Sequence, residues 1–171
     1  MQNFDSLHFL LADELFITDR VAVEGGDEKE LQEVENAKPP FEFFGENKSQ
    51  TLILVNEPLE DLLKSREYDF LLKIMAAVRH TPNEFALVNL HNQNEASWEN
   101  LVEILNPKQV ITFEVDMKTI GLELELAEYE IKLHESIKFL YSHRLRVLLG
   151  DTTRHKKGRL WKALKMIFTN D

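Results

Sequence analysis

The sequence predicts an α/β fold: a three-layer sandwich around a mostly parallel, four-stranded central sheet, with a possible antiparallel edge strand. Two runs, Thr51–Val55 and residues 85–90, are too apolar for half-exposed strands and are typical of fully buried ones. Between them, Pro58 suits a first helical turn and apolar residues recur at helical spacing. A strand, a helix and a strand joined by short connections form a right-handed βαβ unit, which implies parallel strands.

The remaining elements also follow from apolar patterning. The last helix is expected to carry Leu160, Trp161 and Leu164 inward and its lysines outward, and Phe41, Phe43 and Phe44 are expected to cover the core beside the first strand. In chain order, the further predicted elements are a helix over 95–105, a strand over 109–115, an alternating edge strand over 129–134, a core strand over 137–141 and a helix over 154–168.

The length of 171 residues predicts a single domain, long enough to bury roughly 70 % of its unfolded surface. Within it, residues 1–20 form an N-terminal docking segment or helix, residues 24–48 form an acidic loop or linker that includes the run 27–35, and residues 50–168 form the core.

The composition excludes several kinds of chemistry. The chain has no cysteine, which excludes disulfides, cysteine-ligated zinc, iron–sulfur clusters and thiol catalysis, and no cofactor or metal is expected. No leader-like segment and no membrane-spanning apolar run is present, so we expect a soluble cytoplasmic protein without membrane contact. No glycine-rich turn follows a strand, and Glu57, Glu60 and Asp61 at the start of the predicted first helix would repel phosphate, which argues against nucleotide binding.

Charge is unevenly distributed along the chain. The net charge is −10, but residues 143–171 contain eight Lys or Arg and two Asp, a local +6, which leaves −16 for residues 1–142. This basic region predicts contact with nucleic acid or with an acidic partner; the alternative is an ordinary solvated or self-paired surface. The candidate residues are Arg154, Lys156, Lys157, Arg159 and Lys162.

The N-terminal segment is apolar on more than one side. Leu7, Phe9, Leu10 and Phe16 are its candidate partner-binding residues. Such a segment docks onto a partner or, as the alternative, packs on the protein's own sheet.

A series of short motifs resembles the uracil-DNA glycosylase fold superfamily, and is more similar still to its catalytically inactive clamp-loader psi subunits of bacterial DNA polymerase III. The resemblance covers residues 7–18 and 50–168, and it is one of order and pattern. The motifs are Leu-Ile-Leu-Val-Asn56-Glu57-Pro58, a helix ending Lys73-Ile-Met-Ala-Ala-Val78, a strand ending Leu87-Val-Asn89-Leu, the strand start Asn106-Pro107-Lys108-Gln-Val110-Ile111, and Lys156-Lys157-Gly-Arg159-Leu-Trp161 in the last helix.

The glycosylase resemblance implies three site residues. Glu57 matches the glutamate of the water-activating loop, although that loop's glycines are missing here. Asn89 matches the asparagine that reads the uracil edge, with a strand-end cap as the alternative. His143 lies near the family's His-Pro-Ser type loop but lacks the proline, and residues 62–70 run straight into the predicted helix, without the stacking phenylalanine. The resemblance therefore implies a decayed active site and no enzyme activity.

The psi resemblance implies a protein-interaction role in DNA replication. In that family an N-terminal segment docks onto the clamp-loader core, and the folded domain binds the chi subunit, which links to single-stranded-DNA-binding protein. Three hypotheses follow: a replication interaction subunit, a divergent uracil-DNA glycosylase that uses Glu57, Asn89 and His143, and a nucleic-acid-binding module without chemistry that uses the basic C-terminal helix.

Overall fold

The structure is a computed structural model that describes residues 38–58, 61–91 and 93–169. The chain divides into two units, Met1–Lys38 and Pro39–Asp171, and the described residues belong to the second apart from Lys38. The predicted docking segment with Leu7, Phe9, Leu10 and Phe16 lies outside the described residues, as does the acidic run 27–35.

The described residues form five strands: β1 (Thr51–Val55), β2 (Phe85–Asn89), β3 (Gln109–Phe113), β4 (Ile131–His134) and β5 (Ile137–Ser142). They make one sheet in the order β2-β1-β3-β5-β4. The strands β2, β1, β3 and β5 are parallel, and β4 joins β5 in antiparallel orientation at the edge. The prediction of a mostly parallel sheet is confirmed, but the sheet has five strands rather than four because the edge strand is part of it.

Helices flank the sheet on both faces, as an α/β fold requires, and the arrangement is compatible with three layers. The helices are α1 (Arg66–Ala77), α2 (Trp98–Leu105), α3 (Leu145–Leu149) and α4 (Arg154–Thr169), and single 3₁₀ turns span Leu62–Lys64, Met117–Ile120 and Asp151–Thr153. One face of the sheet packs against α1, α3 and α4 through side chains such as Leu71, Leu148 and Leu164. The other face packs against α2 and the segment after the third strand through Leu101 and Met117.

The first helix begins later than predicted. The chain makes a 3₁₀ turn at Leu62–Lys64, and α1 starts only after Ser65, whose hydroxyl accepts a hydrogen bond from the backbone N–H of Tyr68. Glu57 and Asp61 therefore precede the helix instead of occupying its first turn, and residues 62–70 do not form one continuous helix. The serine cap decides the boundary because it satisfies a backbone donor that has no partner within the helix.

The aromatic segment before β1 covers the core, as predicted: Phe41 is buried in the cluster that contains Leu52 and Leu54 of β1, and Phe43 packs against that cluster. Phe44 also exchanges two backbone hydrogen bonds with Leu87 of β2, at 2.8 and 2.9 Å. The segment thus protects the outer edge of β2 as well. Such cover removes the unpaired backbone groups of an edge strand from solvent.

Among the residues that the structure describes, no helix combines the length and apolar character needed to cross a membrane.

Gly45 holds the turn that leads from Phe44 towards β1. Its φ is +103°, and a Cβ placed there would lie 2.1 Å from the carbonyl oxygen of Phe85. We expect Gly45→Ala to lower the free energy of unfolding by about 2 kcal/mol or more, because both the backbone angle and the space are wrong for alanine. Urea denaturation measures the change.

Gly158 provides the matched control, because it lies within α4 and a Cβ there meets no atom within 4 Å. Gly158→Ala is expected to raise the free energy of unfolding by about 0.5–1 kcal/mol. Equal effects of the two substitutions would contradict this account of the turn.

Candidate functional site

The candidate site lies at the carboxyl ends of the parallel strands. Glu57 follows β1, Asn89 ends β2, Glu114 follows β3, and His143 and Arg144 follow β5. The chain leaves β1 towards β2 on one side and returns to β3 on the other, so the order of strands reverses between β1 and β3. In open α/β sheets, ligands commonly bind beyond the carboxyl ends of strands at such a reversal.

Asn89 ties the loop after β1 to the end of β2. Its side-chain Oδ1 accepts a hydrogen bond from the backbone N–H of Glu57, and its Nδ2 donates to the carbonyl of Glu57, both at 3.0 Å. The same Oδ1 lies 3.3 Å from the backbone nitrogen of His91, which donates to it. The amide that the glycosylase resemblance assigns to uracil recognition is therefore engaged with the protein's own main chain, as a strand-end cap would be.

Glu57 is buried at this edge, with only 3 % of its surface exposed. Burial raises the pKa of its carboxyl above the ordinary value, and the nearby Arg144 guanidinium opposes the rise. Its Oε1 has no hydrogen-bond partner among the described residues. Arg144 pairs instead with Glu114, whose Oε2 lies 3.0 Å from the arginine Nε in a geometry that does not complete a hydrogen bond. The site thus holds a buried carboxyl beside a charge pair that is partly exposed.

His143 belongs to a separate cluster on the α4 side of the edge. Its Nδ1 lies 2.7 Å from the hydroxyl of Tyr129, and its Nε2 lies 3.5 Å from Oε1 of Glu128. Burial raises the pKa of the Tyr129 phenol, which favours its neutral, donating form. A neutral histidine that accepts a hydrogen bond from the phenol at Nδ1 carries its own proton on Nε2, which faces the carboxylate; this tautomer is assigned from the neighbouring groups.

The structure therefore brings two of the three glycosylase-type residues together. Glu57 and Asn89 are joined by hydrogen bonds, whereas His143 follows β5, which is separated from β1 by β3. Both ring nitrogens of His143 face Tyr129 and Glu128. The sequence pattern predicted strand positions for Tyr129 and Glu114, but both lie just outside β4 and β3. It gave no signal that these residues or Glu128 contact the candidate site, because their course depends on tertiary packing.

Two cavities open near the carboxyl edge. One of about 440 Å³ is lined by Asn56, Ser97 and Thr119 among others, and one of about 400 Å³ by Asp116, Lys118 and Tyr141 among others. Neither is lined by the three glycosylase-type residues. Within the described ranges, no group of three or more His, Asp or Glu side chains is placed to hold a metal ion.

The basic candidate residues all lie on α4, but they differ in their contacts. Arg159 donates to the carbonyl of Glu128 at 3.1 Å and lies over the ring of Tyr129, with its Cζ 4.7 Å from the ring centroid. Lys157 lies 3.4 Å from the carbonyl oxygen of Gly150, to which its Nζ donates. Arg154 and Lys162 are exposed and Lys156 is half-buried. Arg159 is thus partly committed to the protein itself.

A third cavity, between α1 and α4, was missed by sequence reasoning. Trp161 was predicted to point inward, but 37 % of its surface is exposed, and it lines this cavity together with residues of α1. The available signal was the spacing of Phe70, Ile74 and Ala77, which places them on one stripe of α1.

Neither the models of known protein families nor the curated proteins contain a match for this chain. A functional assignment therefore rests on the residues and contacts of the chain itself.

Removing the side-chain amide of Asn89 should loosen the loop after β1. We expect Asn89→Ala to lower the free energy of unfolding by about 1–3 kcal/mol, because it leaves both the N–H and the carbonyl of Glu57 without their partner. Asn100→Ala is the control, since its Nδ2 makes an exposed bond to the carbonyl of Glu95; we expect a change within about 0.5 kcal/mol. Urea denaturation measures the free energy of unfolding of both variants. Similar losses of stability in the two would contradict the role of Asn89 in holding the loop after β1.

The buried carboxyl of Glu57 predicts a pH dependence of stability. Because the pKa of Glu57 is raised in the folded state, the folded state binds its proton more tightly than the unfolded state does. The contribution of Glu57 to the free energy of unfolding therefore falls as the pH rises from the ordinary glutamate range through the folded-state pKa. Glu57→Gln should therefore be more stable than the parent protein at pH 7, and the difference should vanish below about pH 4. Urea denaturation across this range tests it; a difference that does not depend on pH would be incompatible with a raised pKa.

Proposed function

We propose that this chain is a non-catalytic interaction subunit of the DNA replication machinery, similar to the clamp-loader psi subunits. The non-catalytic part of the proposal is supported by the engagement of Asn89, whose amide donates to and accepts from the main chain of Glu57; the replication role rests on the resemblance of the sequence motifs to the psi subunits. An amide that reads the edge of a flipped base must be free to form those bonds with the base. Here the same groups stabilise the fold.

The surroundings of the other two residues support the same proposal. A water-activating carboxylate needs access to a substrate pocket, but Glu57 is 3 % exposed and lines none of the three cavities described above. A histidine that stabilises a departing base needs a nitrogen directed at that base, but both nitrogens of His143 face Tyr129 and Glu128. Neither arrangement favours a divergent uracil-DNA glycosylase.

The binding surface in this proposal is the N-terminal segment, which lies outside the described residues. Its candidate anchors are Leu7, Phe9, Leu10 and Phe16. Large apolar and aromatic side chains in a short segment are the kind of residue that dominates the affinity of such contacts. The partners are clamp-loader or other replication proteins.

The proposal predicts that the intact, affinity-tagged chain retrieves clamp-loader subunits from its native cell extract. The double variant Leu10→Asp with Phe16→Asp should retrieve at least about ten-fold less, because each change places a charge where an apolar anchor enters its partner. Quantitative mass spectrometry of the retrieved proteins gives the ratio. Leu133→Asp is the matched control, since Leu133 is 67 % exposed on β4 and the same substitution there should change nothing.

Retrieval of no clamp-loader subunit by the intact chain would overturn the replication proposal. The glycosylase alternative has its own assay: release of uracil from a uracil-containing duplex oligonucleotide by the purified protein. Release that disappears in both Glu57→Gln and Asn89→Ala would replace the proposed function with an enzymatic one.

A further inference from the structure

A groove separates α1 from α4 on the outer surface of the helical layer. It is here called the α1/α4 groove, and its volume is about 260 Å³. Residues of both helices line it at helical spacing, so each helix contributes one stripe of side chains to the groove. The lining residues are Phe70, Lys73, Ile74 and Ala77 of α1 and Lys157, Leu160 and Trp161 of α4.

The floor of the α1/α4 groove is apolar. Phe70, Ile74 and Leu160 supply aliphatic and aromatic surface, and Trp161 leaves 37 % of its surface exposed. Trp161 is one of the few large apolar side chains left exposed in the described part of the chain. A concave site with an exposed tryptophan is the kind of surface that receives the central anchor of a binding partner.

The rim of the α1/α4 groove is positively charged. Lys73 and Lys157 belong to the lining, and among the described residues no Asp or Glu does. Lys157 Nζ lies 5.7 Å from the centroid of the Phe70 ring, and Lys165 Nζ lies 5.2 Å from that of Trp161. These lysines cover apolar surface with their methylene chains and keep their ammonium groups at the edge.

We propose that the α1/α4 groove binds a partner protein through a short segment in which an apolar or aromatic side chain is flanked by Asp or Glu. The apolar side chain enters between Ile74 and Trp161, and the carboxylates meet the ammonium groups of Lys73, Lys157 and Lys165. The charge complementarity is local: α4 contains six Lys or Arg and no Asp or Glu. The chain's overall net charge of −10 repels an acidic segment at longer range, and salt screens this repulsion.

A protein segment fits the groove better than nucleic acid does. Bases bind by stacking on open aromatic faces, but lysines already lie over the rings of Phe70 and Trp161. A phosphate backbone needs a continuous series of cations, and Arg159 is held by Glu128 and Tyr129 instead. The groove also differs from the N-terminal segment of the proposed function, so either conclusion stands without the other.

The test selects peptides from a phage-displayed random library on the intact protein. We expect the enriched sequences to combine an aromatic or aliphatic residue with neighbouring Asp or Glu. The most enriched sequence is then synthesised with a fluorescein label, and its dissociation constant is measured by fluorescence anisotropy. In a Trp98→Phe protein, whose remaining tryptophan is Trp161, this peptide should shift the tryptophan emission to shorter wavelength as the indole leaves water.

Paired variants separate the groove from the rest of α4. Trp161→Asp should raise the dissociation constant about ten-fold or more. Met166→Asp should not change it, since Met166 is 60 % exposed on the same helix but does not line the groove. Lys73→Glu should raise the constant about three- to ten-fold, with the larger effect at low salt, whereas Lys162→Glu on the exposed side of α4 should have little effect.

Several outcomes would overturn the inference. One is a selection that enriches no acidic and apolar class of peptide; another is an enriched peptide that binds Trp161→Asp as tightly as the parent protein. Competition by a single-stranded oligothymidylate, equally weakened by Lys73→Glu and Lys162→Glu, would assign the surface to nucleic acid. Self-association that Trp161→Asp abolishes would assign it to a second copy of the chain.

The chain's own acidic run 27–35 is the remaining alternative occupant. If Glu30→Lys with Glu33→Lys moves the Trp161 emission to longer wavelength without added peptide, the groove is filled by that run, and the inference of a separate partner fails.

Discussion

The fold depends on the burial of both faces of β1. All five of its residues, Thr51–Val55, have no exposed surface. A strand in this position must be paired on both edges and covered on both faces, which accounts for β2 and β3 as neighbours and for helices on either side of the sheet. The polar side chain of Thr51, at the start of β1, is buried and has a hydrogen-bond partner: its hydroxyl donates to Oε1 of Gln109 on β3 at 3.1 Å.

The same constraint shapes the candidate site. Where β1 ends, the ladder with β2 would stop and leave the backbone of the next residues without partners in a buried place. The N–H of Leu90 still donates to the carbonyl of Val55 at 2.8 Å, and the side chain of Asn89 then extends the pairing to Glu57. The side chain of asparagine presents N–H donors beside a carbonyl acceptor, so it can pair with both the N–H and the carbonyl of one residue, as a further residue of strand would. The loop is held in place by the amide that the glycosylase resemblance assigns to uracil recognition.

Local sequence pattern correctly predicted several helices and strands, but it did not predict the features that depend on tertiary contacts. Four buried strands and the helix Arg154–Thr169 follow from apolar runs and spacing. The turn between β4 and β5 does not, because Glu135 and Ser136 adopt positive φ angles of 47° and 69° without the Asn or Gly that normally marks such a hairpin. For the site, the glycosylase resemblance implied Glu57, Asn89 and His143 but gave no indication of the side chains that contact His143. Those partners come from connections far away in sequence, such as Tyr129, and only the packed sheet places them beside the strand ends.

Charge and shape on α4 divide its surface into two kinds. On one side, Arg159 is paired with Glu128 and lies over the ring of Tyr129. This side of the helix therefore stabilises the fold itself. On the other side, lysines border apolar surface that no described residue covers, next to Trp161. The buried face of α4 supplies the core through Leu160 and Leu164, whereas Trp161 leaves 37 % of its surface exposed and so forgoes part of the free energy that full burial would provide. Solubility alone would account for the lysines and arginines of α4, but it would not account for an apolar groove beside them. The combination of an exposed apolar slot and ammonium groups at its rim is therefore better explained by recognition of an acidic, apolar partner segment than by a general surface role.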